Sequence, residues 1–412
     1  MSNLCLRCKG RRMCGGPCKI LIQLKQHQPK VEKEFSGSSP PEIFVGKFNY
    51  PYVYTGILSP NEFGDTEYMS LPEFWHERGA SIQDILGFRS RMIYSRFVSN
   101  IKLTGSNART KENSRFIDVM QEIALAEKPV DASFELFKKP VVKMDLNASV
   151  AMVGNPAPLK SAKIESNPKI DRKVDYLAND TDVKATIAIQ ELYHSQIKVS
   201  HIIKVLSAGL LGQRTSRRLV PTRWAVTATD DTISKLLLEK IKYYQQISEV
   251  LLFNGNYLGN YYEVFLIPGC WSYEIIEISN QGYFGEGMNL EKDPATWQDY
   301  EFFQGRKTYA DNVTGGYYAA RLPVTEYLEK IKRQATILVF REIRPEYFCP
   351  CGVGILRELM RGIFKENPKK FNTIDEAFKD AQTRIKLPVS TFTEKSVLLR
   401  NSKEQKKLFQ FF

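Results

Sequence analysis

Residues 250–278, VLLFNGNYLGNYYEVFLIPGCWSYEIIEI, carry so many β-branched and aromatic side chains that they read as strands broken at Asn-Gly and Pro-Gly turns. ATILVFREI (335–343) reads as a further, buried strand. Between them GGYYAARLPVTEYLEKIKRQ (315–334) has the spacing of a helix, with Pro323 in an early turn. Upstream, FVGKFNYPYVYTGIL (44–58) is strand-like, and SIQDILGFRSRMIYSRFV (81–98) repeats apolar residues every three or four positions, as helices do. After a strand-like AVTAT (225–229), a helix is predicted to start near Asp230 and run through ISKLLLEKIKYYQQI. No fixed-period repeat occurs. The chain is therefore expected to form an α+β (mixed α/β) multi-domain body, with a small zinc module at one end and a flexible tail at the other.

A chain of 412 residues is too long for one ordinary domain. The expected division is a four-cysteine zinc module at 1–35, a mixed α/β domain with basic loops at 36–240, a second α/β domain at 241–390 and the tail at 391–412. Hydrophobic residues at 43% and charged residues at 25% exclude a mainly disordered, collagen-like or coiled-coil protein. Lys and Arg (58) outnumber Asp and Glu (46), and the resulting +12 points to nucleic acid or another phosphate-rich partner. No run approaches the roughly 20 apolar residues of a membrane span, and MSNLCLRCKGRRMCGG lacks the apolar core of a secretory signal. A reducing, cytoplasmic, nucleoid-associated setting without membrane contact is expected.

Cys5, Cys8, Cys14 and Cys18 form C-x2-C-x5-C-x3-C. Tetrahedral zinc takes four thiolates from two such tight turns, and Gly10, Gly15, Gly16 and Pro17 permit the bends. Four thiolates close the coordination shell, so this Zn2+ is structural rather than catalytic. The flanking arginines and lysines suit phosphates.

The chain ends Gln405-Lys-Lys-Leu408-Phe-Gln-Phe411-Phe412, which looks like the peptide that docks proteins on the PCNA sliding clamp. One helical turn would place Leu408, Phe411 and Phe412 on one face as an apolar plug, with Gln405 hydrogen-bonding beside it.

Three body segments are candidate phosphate sites. GNPAPLKSAKIESNPKID (154–171) is expected to be a loop presenting Lys160, Ser161 and Lys163 to an oxyanion, although it is not a Walker loop. Between Leu192 and Thr229 no acid occurs, while Arg214, Arg217, Arg218 and Arg223 crowd around Trp224, which suits phosphates and a stacked base. Gly315 and Gly316 open a helix leading to Arg321, a geometry fit for an anion, with an Arg321 ion pair the plainer expectation. Asp230 and Asp231 could together hold Mg2+, but their place ahead of a helix favours a capping role. Cys349-Pro-Cys351 could be redox-active or simply buried, and Cys270 beside Trp271 reads as core.

Taken together, the cysteine knuckle, the 154–171 segment, SRRLVPTRWAVTATDDTIS, GGYYAARL and the terminal octapeptide resemble the archaeal NreA family of DNA repair proteins over nearly the whole chain. The resemblance implies a role in the DNA damage response, PCNA as partner through Gln405, Leu408, Phe411 and Phe412, and zinc on Cys5, Cys8, Cys14 and Cys18. It implies no catalytic residues. The primary expectation is a clamp-recruited factor that binds DNA or nucleotide phosphates through basic loops. The alternative is an enzyme: a metal-dependent nuclease on Asp230 and Asp231, or a nucleotide-hydrolysing or phosphotransfer enzyme built on the Lys160 and Arg217 segments. A scaffold that touches only proteins is a third reading.

Overall fold

A computed structural model of the chain describes residues 17–18, 22, 26, 29–103, 111–141, 153–279 and 295–404. Described residues up to Ile233 form one unit and those from Ser234 onward another. The division falls inside a helix and seven residues before the expected boundary at 240.

In the first unit, β1 (Glu34–Ser39), β2 (Ile43–Val45), β3 (Tyr52–Pro60), β4 (Met92–Asn100), β5 (Val130–Leu136) and β6 (Asn155–Ile164) make one sheet in the order β1-β5-β6-β4-β3-β2. Among the described residues only β4 and β6 pair in parallel there. Its helices are α1 (Pro72–Glu77), α2 (Ile82–Arg91), α3 (Lys111–Leu125), α4 (Arg172–Asn179), α5 (Ala185–His194) and α6 (Val199–Ser207). Strict alternation along β5 buries Val130, Ala132, Phe134 and Leu136 on one face. Ile117, Met120 and Ile123 of α3 cover that core together with Val53, Ile57 and Ile93. A reciprocal Ser81–Asp84 capping box starts α2. The helical spacing expected over 81–98 stops at Arg91, because the β-branched and aromatic MIYSRFV joins the sheet as β4.

The helix α7 (Thr222–Ile241) links the two units in sequence. It overturns two expectations. AVTAT is helical, since Pro221 precedes the helix and its carbonyl accepts from Trp224 and Ala225 N–H at 2.7 and 2.9 Å. Asp230 and Asp231 therefore sit in the helix interior and cap nothing.

In the second unit, β7 (Val250–Tyr257), β8 (Asn260–Ile267), β9 (Ser272–Ser279), β10 (Ala295–Glu301), β11 (Thr336–Ile343) and β12 (Lys369–Phe371) form a sheet ordered β10-β9-β11-β8-β7-β12. The pair β9–β11 is its only parallel one among described residues. Around it lie α8 (Gly315–Ile331), α9 (Val353–Ile363), α10 (Ile374–Gln382), α11 (Val389–Thr393) and α12 (Val397–Glu404). All of β9 and nearly all of β11 is buried, as a strand covered on both faces requires. Phe265, Ile276 and Phe340 meet Ala377, Ala381 and Phe392 on one face. On the other, Phe253 packs edge-on against Tyr327 and Phe364, with centroids 5.0 and 4.9 Å away. The mixed α+β class is thus observed in both units.

Two local expectations change here. The Asn254-Gly255 pair runs within β7; a Cβ on Gly255 would come 2.5 Å from Ile363 Cγ1, so the glycine serves helix packing. The turn is Leu258-Gly259, both at positive φ (53° and 82°). The stretch expected as a flexible tail from 391 is, as far as Glu404, helical and anchored. Phe392 is fully buried and stacks on Phe340 at 4.8 Å. Buried Glu274 of β9 accepts from the Val397 and Leu398 amides at 2.8 and 3.2 Å and from the Ser396 hydroxyl. A carboxylate at a helix N-terminus satisfies free amides and favours the dipole.

Candidate functional site

The 154–171 segment is not the loop expected. Its first part is β6, and strand geometry decides what its polar residues can do. Pro156 and Pro158 lack an N–H, yet their carbonyls accept from Val141 N (3.2 Å) and Phe137 N (2.9 Å), where the strand has not yet met β5. Lys160 and Ser161 are exposed and both engage Glu135, the hydroxyl at 3.3 Å. Lys163 pairs with Glu165 at 2.8 Å. These are surface ion pairs, each worth little to stability, and they leave no cradle of backbone amides for an anion.

The arginine-rich stretch divides by role. Arg217 donates to three backbone carbonyls: Nε to Gly212 at 2.7 Å, and the two Nη to Ala178 and Asp180 at 2.6 Å each. It therefore ties the C-terminal end of α4 to its own loop, and is structural. We expect Arg217→Lys, which cannot span three divergent carbonyls, to cost the first unit about 2 kcal/mol in denaturant unfolding. Arg214, in a short 3-10 turn, Arg218 and Arg223 are exposed. Beside them Trp224 is half-exposed, with its ring 5.4 Å from that of Tyr50.

Asp230 and Asp231 do not form a pair of metal-facing carboxylates. Neighbours on a helix point about 100° apart, and Asp230 is fully buried. Among the described residues no group of three or more His, Cys, Asp or Glu is placed to hold a metal ion. Cys18 is buried, while Cys5, Cys8 and Cys14 lie outside the described residues, as do Gln405, Leu408, Phe411 and Phe412. Burial pushes the Cys349 thiol up to about 12, which leaves it unreactive, and Cys351 is buried beside it. Cys270 is exposed rather than core.

The anion site expected at the start of α8 is filled by the protein itself. Asp299 Oδ2 accepts from Asn312 N at 3.1 Å and Val313 N at 2.7 Å, just before the helix. Arg321, one and a half turns into α8, is 2% exposed and donates from Nε to Glu301 Oε1 at 2.9 Å. Trp271 Nε1 donates to the same oxygen at 3.0 Å. The ion-pair expectation for Arg321 holds.

Arg321 also lines a cavity of about 310 Å³ in the second unit. Lys235, Leu238, Glu239 and Lys242 line it from one stripe, at the three-and-four spacing of a helix face that continues past the end of α7. Tyr243 follows them, and Gln304, Gly305 and Arg306 of the loop after β10 close the other side. Arg306 is locked by Asp299 (3.1 Å) and by the carbonyls of Tyr300 (2.8 Å) and Tyr309 (3.1 Å). Both arginines lie over the buried Tyr317 ring, at 5.5 and 6.0 Å. Burial lowers the Lys242 ammonium below its usual range, Glu301 pulling it back up and Arg321 lowering it further. Sequence reasoning missed Lys235, Lys242, Tyr243 and Arg306. The K-x2-L-E-x2-K spacing was legible, but nothing local joins it to a loop 60 residues away.

Comparison with known proteins places these features in a family. Residues 13–284 match the family model described as "Archaeal Nre, N-terminal", and residues 301–411 match "Archaeal Nre, C-terminal". The DNA repair protein NreB of Archaeoglobus fulgidus is 36% identical over 407 residues, 99% of either chain. The DNA repair protein NreA of the same organism is 35% identical over 93% of this chain and 94% of its own. The DNA repair protein NreA of Haloferax volcanii is 32% identical over 92% of this chain and 91% of its own. No solved structure matches. With both family models matched in order and full-length relatives aligned nearly end to end, the chain belongs to the archaeal Nre family.

Proposed function

We propose that this chain is a DNA repair protein that contacts DNA or nucleotide phosphates through exposed cations and is brought to the PCNA sliding clamp by its last eight residues. The observation that carries the repair role is the near end-to-end similarity, at 32–36% identity, to three proteins each named as a DNA repair protein. Clamp docking rests on Gln405, Leu408, Phe411 and Phe412, which follow α12 directly in sequence. In the first unit, Arg214, Arg218, Arg223 and Trp224 remain as exposed groups suited to a DNA backbone and a stacked base.

The test is survival after DNA damage of a host strain deleted for the gene. The deletion strain is expected to be sensitive and the wild-type gene to restore its survival; a deletion strain as resistant as its parent overturns the repair role. DNA binding is read separately as a salt-dependent affinity, whose slope counts the phosphates contacted.

Cys5, Cys8, Cys14 and Cys18 would hold one structural zinc, which would supply the folding energy that so small and basic a segment lacks. A Cys5→Ser/Cys8→Ser chain is expected to lose about one zinc ion per molecule by elemental analysis. Equal zinc in both chains would remove the assignment.

A further inference from the structure

The two faces of β3 and β4 differ along their length. Val53, Ile57 and Phe97 point into the core beneath α3. On the opposite face Leu58, Met92 and Tyr94 are buried and pack against Tyr68 and Phe88. Further along the same strands that second face meets solvent. Tyr52 and Tyr54, 55% and 42% exposed, stand opposite Asn100 and Val98, and strand alternation keeps both tyrosines on one side. Arg96, also on that side, holds its guanidinium 4.3 Å from the centre of the Tyr54 ring. Exposed rings gathered on one face mark a surface that something else covers.

Backbone pairing brings further rings and cations to the same end of the sheet. The Pro51 carbonyl accepts from Ile101 N–H at 3.0 Å, and Lys102 bridges to Arg218. Val45 N–H donates to Thr222 Oγ1 at 2.9 Å, which sets exposed Trp224 beside Tyr50. Three stretches of the chain therefore converge, 43–57, 92–102 and 214–229, and none of them contains an acid. Among the described residues Arg96, Lys102, Arg218 and Arg223 form no ion pair, whereas Lys160 and Lys163 of β6 are each matched with a glutamate. Unneutralised cations beside flat aromatic surface call for an anionic partner with flat groups of its own.

Duplex DNA does not meet that requirement, because its base faces are covered by neighbours about 3.4 Å away and only phosphates and groove edges are on offer. Tyr52 and Tyr54, two residues apart on a strand, stand about 6.8 Å apart, a spacing that suits bases separated from one another. We infer that this face binds single-stranded DNA, with unstacked bases on Tyr52, Tyr54 and Trp224 and phosphates on the neighbouring cations. The inference rests on the DNA-binding reading and adds to it a platform on β3 and β4 and a preference for single strands. Because every base has a flat face, the platform is tolerant of sequence.

The test uses the full chain and a fluorescently labelled mixed-sequence 12-mer, offered as a single strand and as a duplex. Wild type is expected to bind the strand about tenfold more tightly than the duplex. Tyr52→Ala/Tyr54→Ala should weaken strand binding tenfold or more with the salt slope unchanged, since no phosphate contact is lost. Tyr52→Phe/Tyr54→Phe, which keeps both rings, should bind like wild type. Trp224→Ala, on a separate element, should weaken binding about tenfold, so that a folding defect in the strand variant would not hide the effect. Arg218→Gln/Arg223→Gln should reduce the slope of log K against log salt by about 1.4, or 0.7 for each phosphate no longer neutralised. Lys369→Gln/Lys370→Gln, an equal loss of charge in the second unit, should leave that slope unchanged. If wild type binds the strand but the tyrosine-to-alanine and Trp224→Ala chains bind it equally well, or if wild type binds the duplex as tightly as the strand, the inference is wrong and the DNA-binding reading survives. If wild type binds neither, both fail.

Discussion

Glu274→Ala is expected to destabilise the second unit by about 3–5 kcal/mol and to free its last described helix. The carboxylate is fully buried and accepts from Gln298 Nε2, the Ser396 hydroxyl and the amides of Val397 and Leu398. Alanine leaves the Val397 and Leu398 amides and the Ser396 hydroxyl without this acceptor, while Gln298 Nε2 keeps the Lys395 carbonyl at 2.8 Å, and it removes a negative charge from the helix N-terminus. Ser396 Oγ still accepts from Leu399 N at 3.1 Å, so a remnant of the cap persists. Urea unfolding gives the stability change, and limited proteolysis gives its location, with new cleavage expected within 389–404. Unchanged stability and proteolysis would mean that Glu274 does not anchor α12.

The anchor shows how unevenly the fold could be read from the residues. ATILVFREI announced itself as a buried strand because it is apolar without alternation, and β11 is indeed covered on both faces. The tail misled because TFTEKSVLLRNSKE is mostly polar; what orders it is one buried glutamate more than a hundred residues earlier, which no local pattern reveals. AVTAT has strand composition but follows Pro221 in a helix, where its small residues pack, with Ala225 fully buried. The polar residues of 154–171 suggested a phosphate loop because Gly and Pro flank them, whereas long-range pairing with β4 and β5 makes most of the segment a strand. Arg321 was legible as an ion pair, but its partner Glu301 and the cavity beside it depend on how α7, β10 and α8 meet.

Phe411→Ala/Phe412→Ala is the substitution expected to affect partner binding most, weakening the clamp complex by roughly 100-fold or more while leaving DNA affinity unchanged. Two buried aromatic anchors are each worth about 2 kcal/mol or more at the centre of an interface, and each 1.4 kcal/mol is a factor of ten. The octapeptide begins at the residue after α12, so the segment joining it to an anchored element is short. Under the proposed reading, a short tether would hold the exposed cations near the clamped duplex at high effective concentration, so that modest intrinsic DNA affinity would suffice. Fluorescence anisotropy of the labelled chains against purified clamp reads the change. The Glu274→Ala chain should keep its clamp affinity, since the motif itself is intact, and lose only the rigid connection.

Recruitment to the clamp by the carboxyl end is the claim on which the functional reading depends. The direct measurement is calorimetric titration of the host's purified sliding clamp with the full chain, repeated with the clamp saturated by a synthetic peptide of residues 403–412. Saturable binding of one chain per clamp subunit is expected, abolished by the peptide. No heat from the full chain, or a complex that persists undiminished with the peptide in excess, would contradict it.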